Sequence, residues 1–211
     1  MNNVKKTTIY RTRIVTPVDA IKNAYGAHKL FWRAFPNHPS GTVQPFTFAE
    51  QPGAEPNEKI FLMQSKTYPD FSEVLAVRAE TKTINIEVKA GDVFNFRLRA
   101  APSKSLPPAG EGAIRTRGIR VAESSRLGVQ SWLAMQAEKS GFDVGQLIFD
   151  INEVTIRAHS SARDTKHGFK AAAALFDGSL TVKDPDAFES ALFKGVGRGR
   201  SYGFGMLLIG R

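Results

Sequence analysis

The predicted order of strands and helices occurs twice along this chain, and this repetition limits the folds that are available to it. Residues 7–15 alternate apolar and polar side chains, as a half-buried strand does. The elements predicted next are a helix from an N-cap at Asp19 to Pro36, strands at 43–49 and 59–65, a short helix or turn at 68–77, and a strand at 81–88. The first half therefore has the order β-α-β-β-(α)-β.

The second half repeats that order with one long interruption. Its predicted elements are a strand at 93–99, an irregular insertion at 101–124, a helix from Ser125 to Gly141, strands at 146–158 and 168–176, an extension of the sheet at 178–182, a helix at 187–193 that starts from Asp184, and a strand at 206–209. Two split βαβ units in succession predict an α+β protein with two tandem ferredoxin-like (βαββαβ) domains. We expect the first domain to span residues 1–90 and the second to span residues 91–211.

The net charge of +9 is concentrated in three segments of the chain. Residues 97–126 carry seven Arg or Lys against two acids, residues 157–170 carry four against one, and residues 194–211 carry four against none. Most of these cations are Arg, whose planar guanidinium can bind phosphate through two hydrogen bonds. The pattern is typical of a surface that binds a polyanion, most often a nucleic acid, although a basic surface without a partner has the same composition.

Missing residue types exclude several kinds of site. The chain has no Cys, which rules out disulfides, thiolate metal sites and a cysteine nucleophile. It has no apolar run of the roughly 20 residues that cross a bilayer, and no apolar stretch follows its charged start. We therefore expect a cytoplasmic protein. The sequence contains no HExxH motif, so it gives no support for a metalloprotease.

Residues 195–205 are the most unusual stretch of the sequence, with five glycines in eleven positions. This density disfavours helix and strand and predicts a loop that needs positive φ or a close backbone approach. The stretch lacks a Walker A lysine and lies between a predicted helix and strand, the reverse of the dinucleotide-binding order. Its backbone N–H groups, together with Arg198, Arg200 and Ser201, suit a phosphodiester backbone; a purely structural turn is the alternative.

His28 is the best catalytic candidate among the four histidines. It follows Tyr25 by three residues, so both side chains lie on one face of the first predicted helix. An imidazole can accept or donate a proton near neutral pH, and a phenol can share that proton. From the spacing alone, however, a packed histidine without a chemical role is the simpler interpretation.

Three stretches of the sequence carry a family resemblance: residues 23–36, 94–104 and 195–208. Together they resemble the CasE family, the repeat-processing endoribonucleases of type I-E CRISPR systems, in the same order and at similar intervals. The glycine-rich stretch is shared by a wider superfamily of RNA-processing proteins, whereas the Tyr-x-x-His helix combined with the Phe-Arg-Leu-Arg-Ala strand is more specific. The family has two ferredoxin-like folds in tandem, in agreement with the topology predicted above.

The resemblance implies cleavage of CRISPR precursor RNA at the 3′ base of the repeat stem-loop, without metal or cofactor. An upstream 2′-hydroxyl attacks the phosphate and leaves a 2′,3′-cyclic phosphate and a 5′-hydroxyl. His28 matches the catalytic histidine and Tyr25 its helper, and Arg33 stands where a cation could stabilise the phosphorane. The RNA-binding residues implied by the resemblance and by the basic segments are Arg97, Arg99, Lys104, Arg115, Arg117, Arg120, Arg163, Lys166, Arg198, Arg200 and Ser201.

The expected partners are CRISPR repeat RNA and the other subunits of the Cascade complex, in which the family member stays bound to its product. The absence of Cys and of metal-ligand motifs fits a reaction whose nucleophile belongs to the RNA. Two alternatives stay open: a non-catalytic RNA-binding subunit of a ribonucleoprotein, and a structural or protein-binding module.

Overall fold

A computed structural model describes residues 4–39, 42–53, 55–75, 77–106, 119–159 and 166–211. The strands, in chain order, are β1 (Lys5–Pro17), β2 (Phe46–Gln51), β3 (Glu58–Ser65), β4 (Arg78–Val88), β5 (Val93–Ala100), β6 (Ser103–Leu106), β7 (Ile119–Ala122), β8 (Phe142–His159), β9 (Lys166–Val182) and β10 (Leu207–Gly210). The α-helices are α1 (Ala24–Trp32), α2 (Arg126–Lys139) and α3 (Pro185–Lys194). None of the helices in the described ranges is both long and apolar enough to cross a membrane.

Two four-stranded antiparallel sheets form the framework. The first has the strand order β2-β3-β1-β4 and the second the order β10-β5-β9-β8. When the four strands of each half are ranked by their position in the chain, both sheets have the order 2-3-1-4, which is that of a ferredoxin-like sheet. The predicted α+β fold class with two tandem ferredoxin-like units is therefore confirmed. The predicted boundary between residues 90 and 91 falls in the turn between β4 and β5 and stays a prediction.

The start of α1 differs from the prediction, because Asp19 is not its N-cap. Residues Val18–Ala20 form a short 3-10 helix, and Ile21 is extended at φ −128°, which interrupts any continuous helix. The N-cap is Asn23, whose side-chain oxygen accepts a hydrogen bond from the Gly26 backbone N–H at 2.8 Å. The helix ends at Trp32, before the predicted limit at Pro36.

The predicted irregular insertion at 101–124 is wrong at both of its ends. Strands β6 and β7 pair antiparallel, with Ser103 opposite Ala122 and Leu106 opposite Ile119. Residues 107–118 lie outside the described residues. Between β3 and β4 the turn alternative holds for residues 66–75, where Asp70 accepts a hydrogen bond from the Ser72 backbone N–H at 2.9 Å.

The helices of the second half agree with the sequence prediction. Ser125 caps α2 by accepting a hydrogen bond from the Gly128 backbone N–H at 3.2 Å. Asp184 caps α3, and Pro185 occupies its first turn. Predicted strands 146–158 and 168–176 are the central parts of the longer strands β8 and β9, and 178–182 continues β9.

Each sheet has its own apolar core, and strands of the first sheet also contribute residues to the core of the second half. Ile14, Phe31 and Phe48 lie in the core of the first half. Ile9 of β1 lies instead in the core of the second half, next to residues such as Leu98. Helix α3 contacts β10 and also β1, β2 and β3, so it joins the two halves.

Candidate active site

Helix α1 presents Tyr25, His28 and Trp32 on one face, because these residues follow each other at spacings of three and four. The Trp32 indole N–H donates a hydrogen bond to His28 Nε2 at 3.2 Å. The Tyr25 ring stacks on the imidazole with centroids 5.4 Å apart, and Phe46 of β2 lies 6.1 Å from it. His28 Nδ1 is buried and has no hydrogen-bond partner among the described residues.

The environment of His28 favours the neutral imidazole. Burial is the larger cause and the neighbouring Lys29 ammonium the smaller one, and both lower the pKa of His28 below its ordinary value of 6.5. Lys29 itself lies over the Tyr25 ring, 5.1 Å from the centroid. At neutral pH the ring is therefore uncharged and able to accept a proton.

The glycine-rich stretch, called here the glycine loop (residues 195–205), closes on itself beside strand β5. The Val196 N–H donates to the Gly205 carbonyl at 2.8 Å, and the Gly205 N–H donates to the Arg99 carbonyl at 2.8 Å. Gly195 and Gly205 have φ of 74° and 86°, and a Cβ on either would lie 2.8 Å from a carbonyl oxygen of the opposite side. Glycine is required where the two ends of the loop cross.

The glycine loop brings a second tyrosine to α1. A short 3-10 helix, Arg200–Tyr202, contacts α1, and the Tyr202 ring lies 6.1 Å from the Tyr25 ring. The site is therefore built from both halves of the chain. Sequence reasoning missed Tyr202, although it is the only tyrosine of the glycine loop.

Residues Gly199–Gly203 also match the G-x-S-x-G pattern of hydrolase nucleophiles. In such enzymes the serine lies on a sharp turn from a strand into a helix. Ser201 lies instead in the 3-10 helix, after α3 and before β10. The pattern therefore lacks the structural context of a nucleophile elbow.

Two of the predicted RNA-binding cations are paired with acids. The Arg97 Nε donates to Asp177 at 2.7 Å, from β5 to the opposite position of β9. Lys104 Nζ lies 2.8 Å from the Glu123 carboxylate, which also accepts hydrogen bonds from the Ser125 hydroxyl and backbone N–H. Lys104 and Ser125 together lower the pKa of Glu123 to about 2.

The other described cations of the glycine loop and β5 are held differently. Arg99 stacks over the Phe204 ring at 5.0 Å, and the Arg200 guanidinium donates to the Lys194 carbonyl at 2.8 Å. Arg198 is exposed, and Ser201 is half-buried beside Tyr202. The loop thus places Arg198, Arg200 and Ser201 within a few residues of the Tyr25 contact.

Arg33 does not share the face of His28. It is the C-cap of α1, it is exposed, and it follows His28 by five residues, which corresponds to a different direction around the helix. Arg115, Arg117 and Arg163 lie outside the described residues. Arg120 and Lys166 belong to β7 and β9, and the structure describes only their backbone. Within the described ranges, no group of three or more His, Asp or Glu is placed to hold a metal ion.

The fold and the site define a tandem ferredoxin-like protein with a neutral histidine at the meeting of its two halves. The model of the CRISPR associated protein family matches residues 8–211, and the chain belongs to that family. This match also confirms the CasE resemblance, together with the relatives below.

Two relatives and one solved structure illustrate the similarity. The chain is 28% identical to the CRISPR-associated endoribonuclease Cse3 of Thermus thermophilus over 195 residues, 87% of this chain and 81% of that protein. It is 25% identical to the CRISPR system Cascade subunit CasE of Escherichia coli over 207 residues, 95% of this chain and 98% of that protein. Thermus thermophilus Cse3 bound to an RNA representing a pre-cleavage complex superposes with a TM-score of 0.77 at 24% identity, covering 97% of this chain and 100% of that one.

Proposed function

We propose that this chain is an endoribonuclease that binds the CRISPR repeat stem-loop and cleaves precursor RNA at the 3′ base of the stem. It then stays bound to the mature CRISPR RNA as a subunit of Cascade. The observation that carries the proposal is the position of a neutral His28 between Tyr25 and Trp32, where α1 meets the glycine loop. The names of the relatives, one an endoribonuclease and one a Cascade subunit, support the reaction and the partner. The proposed compartment is the cytoplasm.

The proposed reaction needs proton transfer and charge stabilisation from the protein. The 2′-oxygen bonds to the adjacent phosphorus as its proton leaves, the bond from phosphorus to the 5′-oxygen breaks, and that oxygen takes up a proton. His28 performs at least one of these transfers, and Tyr25, stacked on it, hydrogen-bonds to the reacting groups. Arg33, the cation that the sequence indicated for the added charge of the phosphorane, leaves α1 on a different face from His28, so its proposed role is confined to a phosphate at the C-terminal end of the helix. The products are a 2′,3′-cyclic phosphate and a 5′-hydroxyl.

The proposed RNA contacts are of two kinds. Arg198, Arg200 and Ser201 of the glycine loop, together with Arg99 of the adjacent β5, bind phosphates close to the cleaved bond. Arg97 and Lys104 are already paired with acids, so the RNA backbone must replace Asp177 and Glu123 as their partners. The remaining proposed contacts are Arg115, Arg117, Arg120, Arg163 and Lys166.

The test uses one repeat RNA, with EDTA present throughout. The wild-type protein should cleave this RNA, and a 2′-deoxy substitution at the attacking nucleotide should stop cleavage because the nucleophile is gone. His28→Ala should slow cleavage by about 10²–10⁴-fold, the usual contribution of a positioned acid or base, with RNA affinity unchanged. His38→Ala is the control within the same cluster, since His38 is also half-buried and contacts the Trp32 ring but does not stack on Tyr25.

Three outcomes would contradict the proposal or part of it. Loss of cleavage in EDTA would exclude the metal-independent mechanism. Full activity of His28→Ala would remove His28 from the reaction. Tight, salt-dependent binding without any cleavage by the wild type would make the chain a non-catalytic RNA-binding subunit.

A further inference from the structure

The hydrogen bond between Trp32 and His28 indicates which nitrogen of the imidazole carries the proton. An indole N–H is a donor only, so the nitrogen that it contacts must be unprotonated. That nitrogen is Nε2, 3.2 Å from Trp32 Nε1. The ring orientation follows from the same contact, because turning the imidazole over would place a C–H against the indole N–H. The neutral His28 therefore carries its proton on Nδ1.

Among the described residues, the bond from Trp32 is the only hydrogen bond that the His28 ring makes. Tyr25 and Phe46 contact the imidazole through their ring faces and edges and offer it no hydrogen bond. Nδ1 is buried without a partner. Because Trp32 is half-buried one helical turn further along α1, its indole holds the imidazole from the same helix.

We propose that Trp32 is a positioning residue for His28: its indole N–H occupies Nε2 and keeps the proton of the neutral ring on Nδ1 until RNA replaces that bond. The inference rests on the proposed function, because it describes how the catalytic histidine is held before substrate arrives. A lone pair engaged by an indole N–H cannot accept the 2′-hydroxyl proton, so the bond must open before His28 acts as a base through Nε2. Before RNA binds, the Nδ1–H is a donor that no acceptor among the described residues satisfies.

The first test reads the tautomer directly by nitrogen NMR of the histidine-labelled protein at neutral pH, with His28 assigned by its loss in His28→Ala. Wild-type His28 should show a protonated Nδ1 and an unprotonated Nε2. Trp32→Phe retains an aromatic ring and removes the N–H, so the neutral ring should shift toward the Nε2–H form that free histidine favours. A protonated Nε2 in the wild type would overturn the proposal even if the variant failed to fold.

The second test measures how reactive the unprotonated nitrogen of the His28 imidazole is. Diethylpyrocarbonate acylates an unprotonated imidazole nitrogen, and mass spectrometry follows the modification of His28. Trp32→Phe should raise this rate about fivefold, the factor that corresponds to loss of one typical protein hydrogen bond. Phe35→Leu is the matched control, because Phe35 packs against Phe46 in the same cluster but does not bond His28. Equal rates for Trp32→Phe and wild type, or an equal rise in Phe35→Leu, would refute a role for the indole N–H.

The third test adds uncleavable 2′-deoxy repeat RNA to the wild type. The Trp32 indole signal and the His28 Nε2 signal should both change as the RNA takes over the bond. No change at saturating RNA would contradict the exchange. Absence of cleavage by the wild type, with the tautomer as stated, would instead count against the proposed function alone.

Discussion

Two features of its surroundings lower the pKa of His28: its burial and the charge of the neighbouring Lys29. Its half-buried position lowers the pKa by making the imidazolium costly to hold, and Lys29 adds repulsion from a nearby positive charge. Both effects act in the same direction. The ring thus stays neutral to lower pH than an ordinary histidine.

Replacing Lys29 should reverse the smaller of these effects. Lys29→Gln removes the positive charge, so the pKa of His28 should rise toward its ordinary value, and only slightly, because an exposed charge acts weakly. An NMR titration of His28 measures this. In single-turnover cleavage, the acid limb of the pH profile should move to higher pH by the same amount.

The sign of the folding linkage follows from the same lowered pKa. A folded-state pKa below 6.5 means that the unfolded chain binds the proton more readily, so the contribution of His28 to stability is complete above about pH 6.5 and decreases as the pH falls. Lys22→Gln is the control for the Lys29→Gln titration, because Lys22 is an exposed lysine that precedes α1. A wild-type His28 that titrates above 6.5, or a lower pKa in Lys29→Gln, would contradict this account.

At the scale of single elements, the link between β7 and α2 is unusually constrained. Glu123 lies between the strand and the helix, and its carboxylate accepts hydrogen bonds from Ser125 and is paired with Lys104. The side chain packs directly over Gly128 in the first turn of α2, so a Cβ at that glycine would overlap the Glu123 carboxyl group. The helix start therefore depends on a glycine at a position where glycine is intrinsically unfavourable.

Gly128→Ala should destabilise the protein, although the same change in an open helix position stabilises by up to about 1 kcal/mol. We expect a loss of about 1–3 kcal/mol in the free energy of unfolding, measured by urea denaturation, because the added methyl group displaces Glu123 from its partners. Gly26→Ala is the matched control in α1, since its Cβ would meet nothing closer than 3.6 Å. Similar changes in unfolding free energy for the two substitutions would show that the Glu123 side chain can move aside without destabilising the protein.

The extent of sequence prediction also differs between elements. Ser125 and Asp184 were identifiable as caps because each is followed directly by a helix. Asp19 was a misleading cap because Asn23 qualifies equally, and the choice depends on Ile21, which is extended and buried in the first core. Strands β6 and β7 pair although residues 107–118 separate them in the sequence, and no local pattern reveals a pairing over that distance.

The candidate site shows the same limit. Tyr25 and His28 could be predicted together because helical spacing alone places them on one face. The Tyr202 contact could not, because it depends on how the glycine loop closes across nearly the whole chain length. Likewise, the pairing of Arg97 with Asp177 follows from the register of β5 and β9, so a sequence pattern indicates a cation there but not that it is already neutralised.

For the whole molecule, the contact between the two halves decides whether the site exists, because Tyr25 and Tyr202 come from opposite sides of it. Buried Gln64 of β3 donates to the Leu192 carbonyl of α3 at 2.7 Å. Around it, Glu189 of α3 accepts a hydrogen bond from Thr7 at 2.8 Å and is paired with Lys66 at 3.2 Å. A polar bridge at the end of α3 thus fixes the first sheet to the helix that leads into the glycine loop.

Gln64→Leu tests this bridge with a side chain of similar size. The variant leaves the Leu192 carbonyl, one of the last four of α3, buried without its partner, which should cost about 1–3 kcal/mol of unfolding free energy in urea. Gln51→Leu is the control, because among the described residues the Gln51 side chain hydrogen-bonds only to carbonyls of its own strand, at 3.4 Å. Its effect should stay within about 0.5 kcal/mol. Because the glycine loop follows α3 directly, Gln64→Leu should also reduce cleavage of repeat RNA at urea concentrations below its unfolding midpoint. Gln51→Leu should not reduce cleavage under the same conditions. Equal stability and equal cleavage in the two variants would mean that the apolar contacts alone hold the halves together.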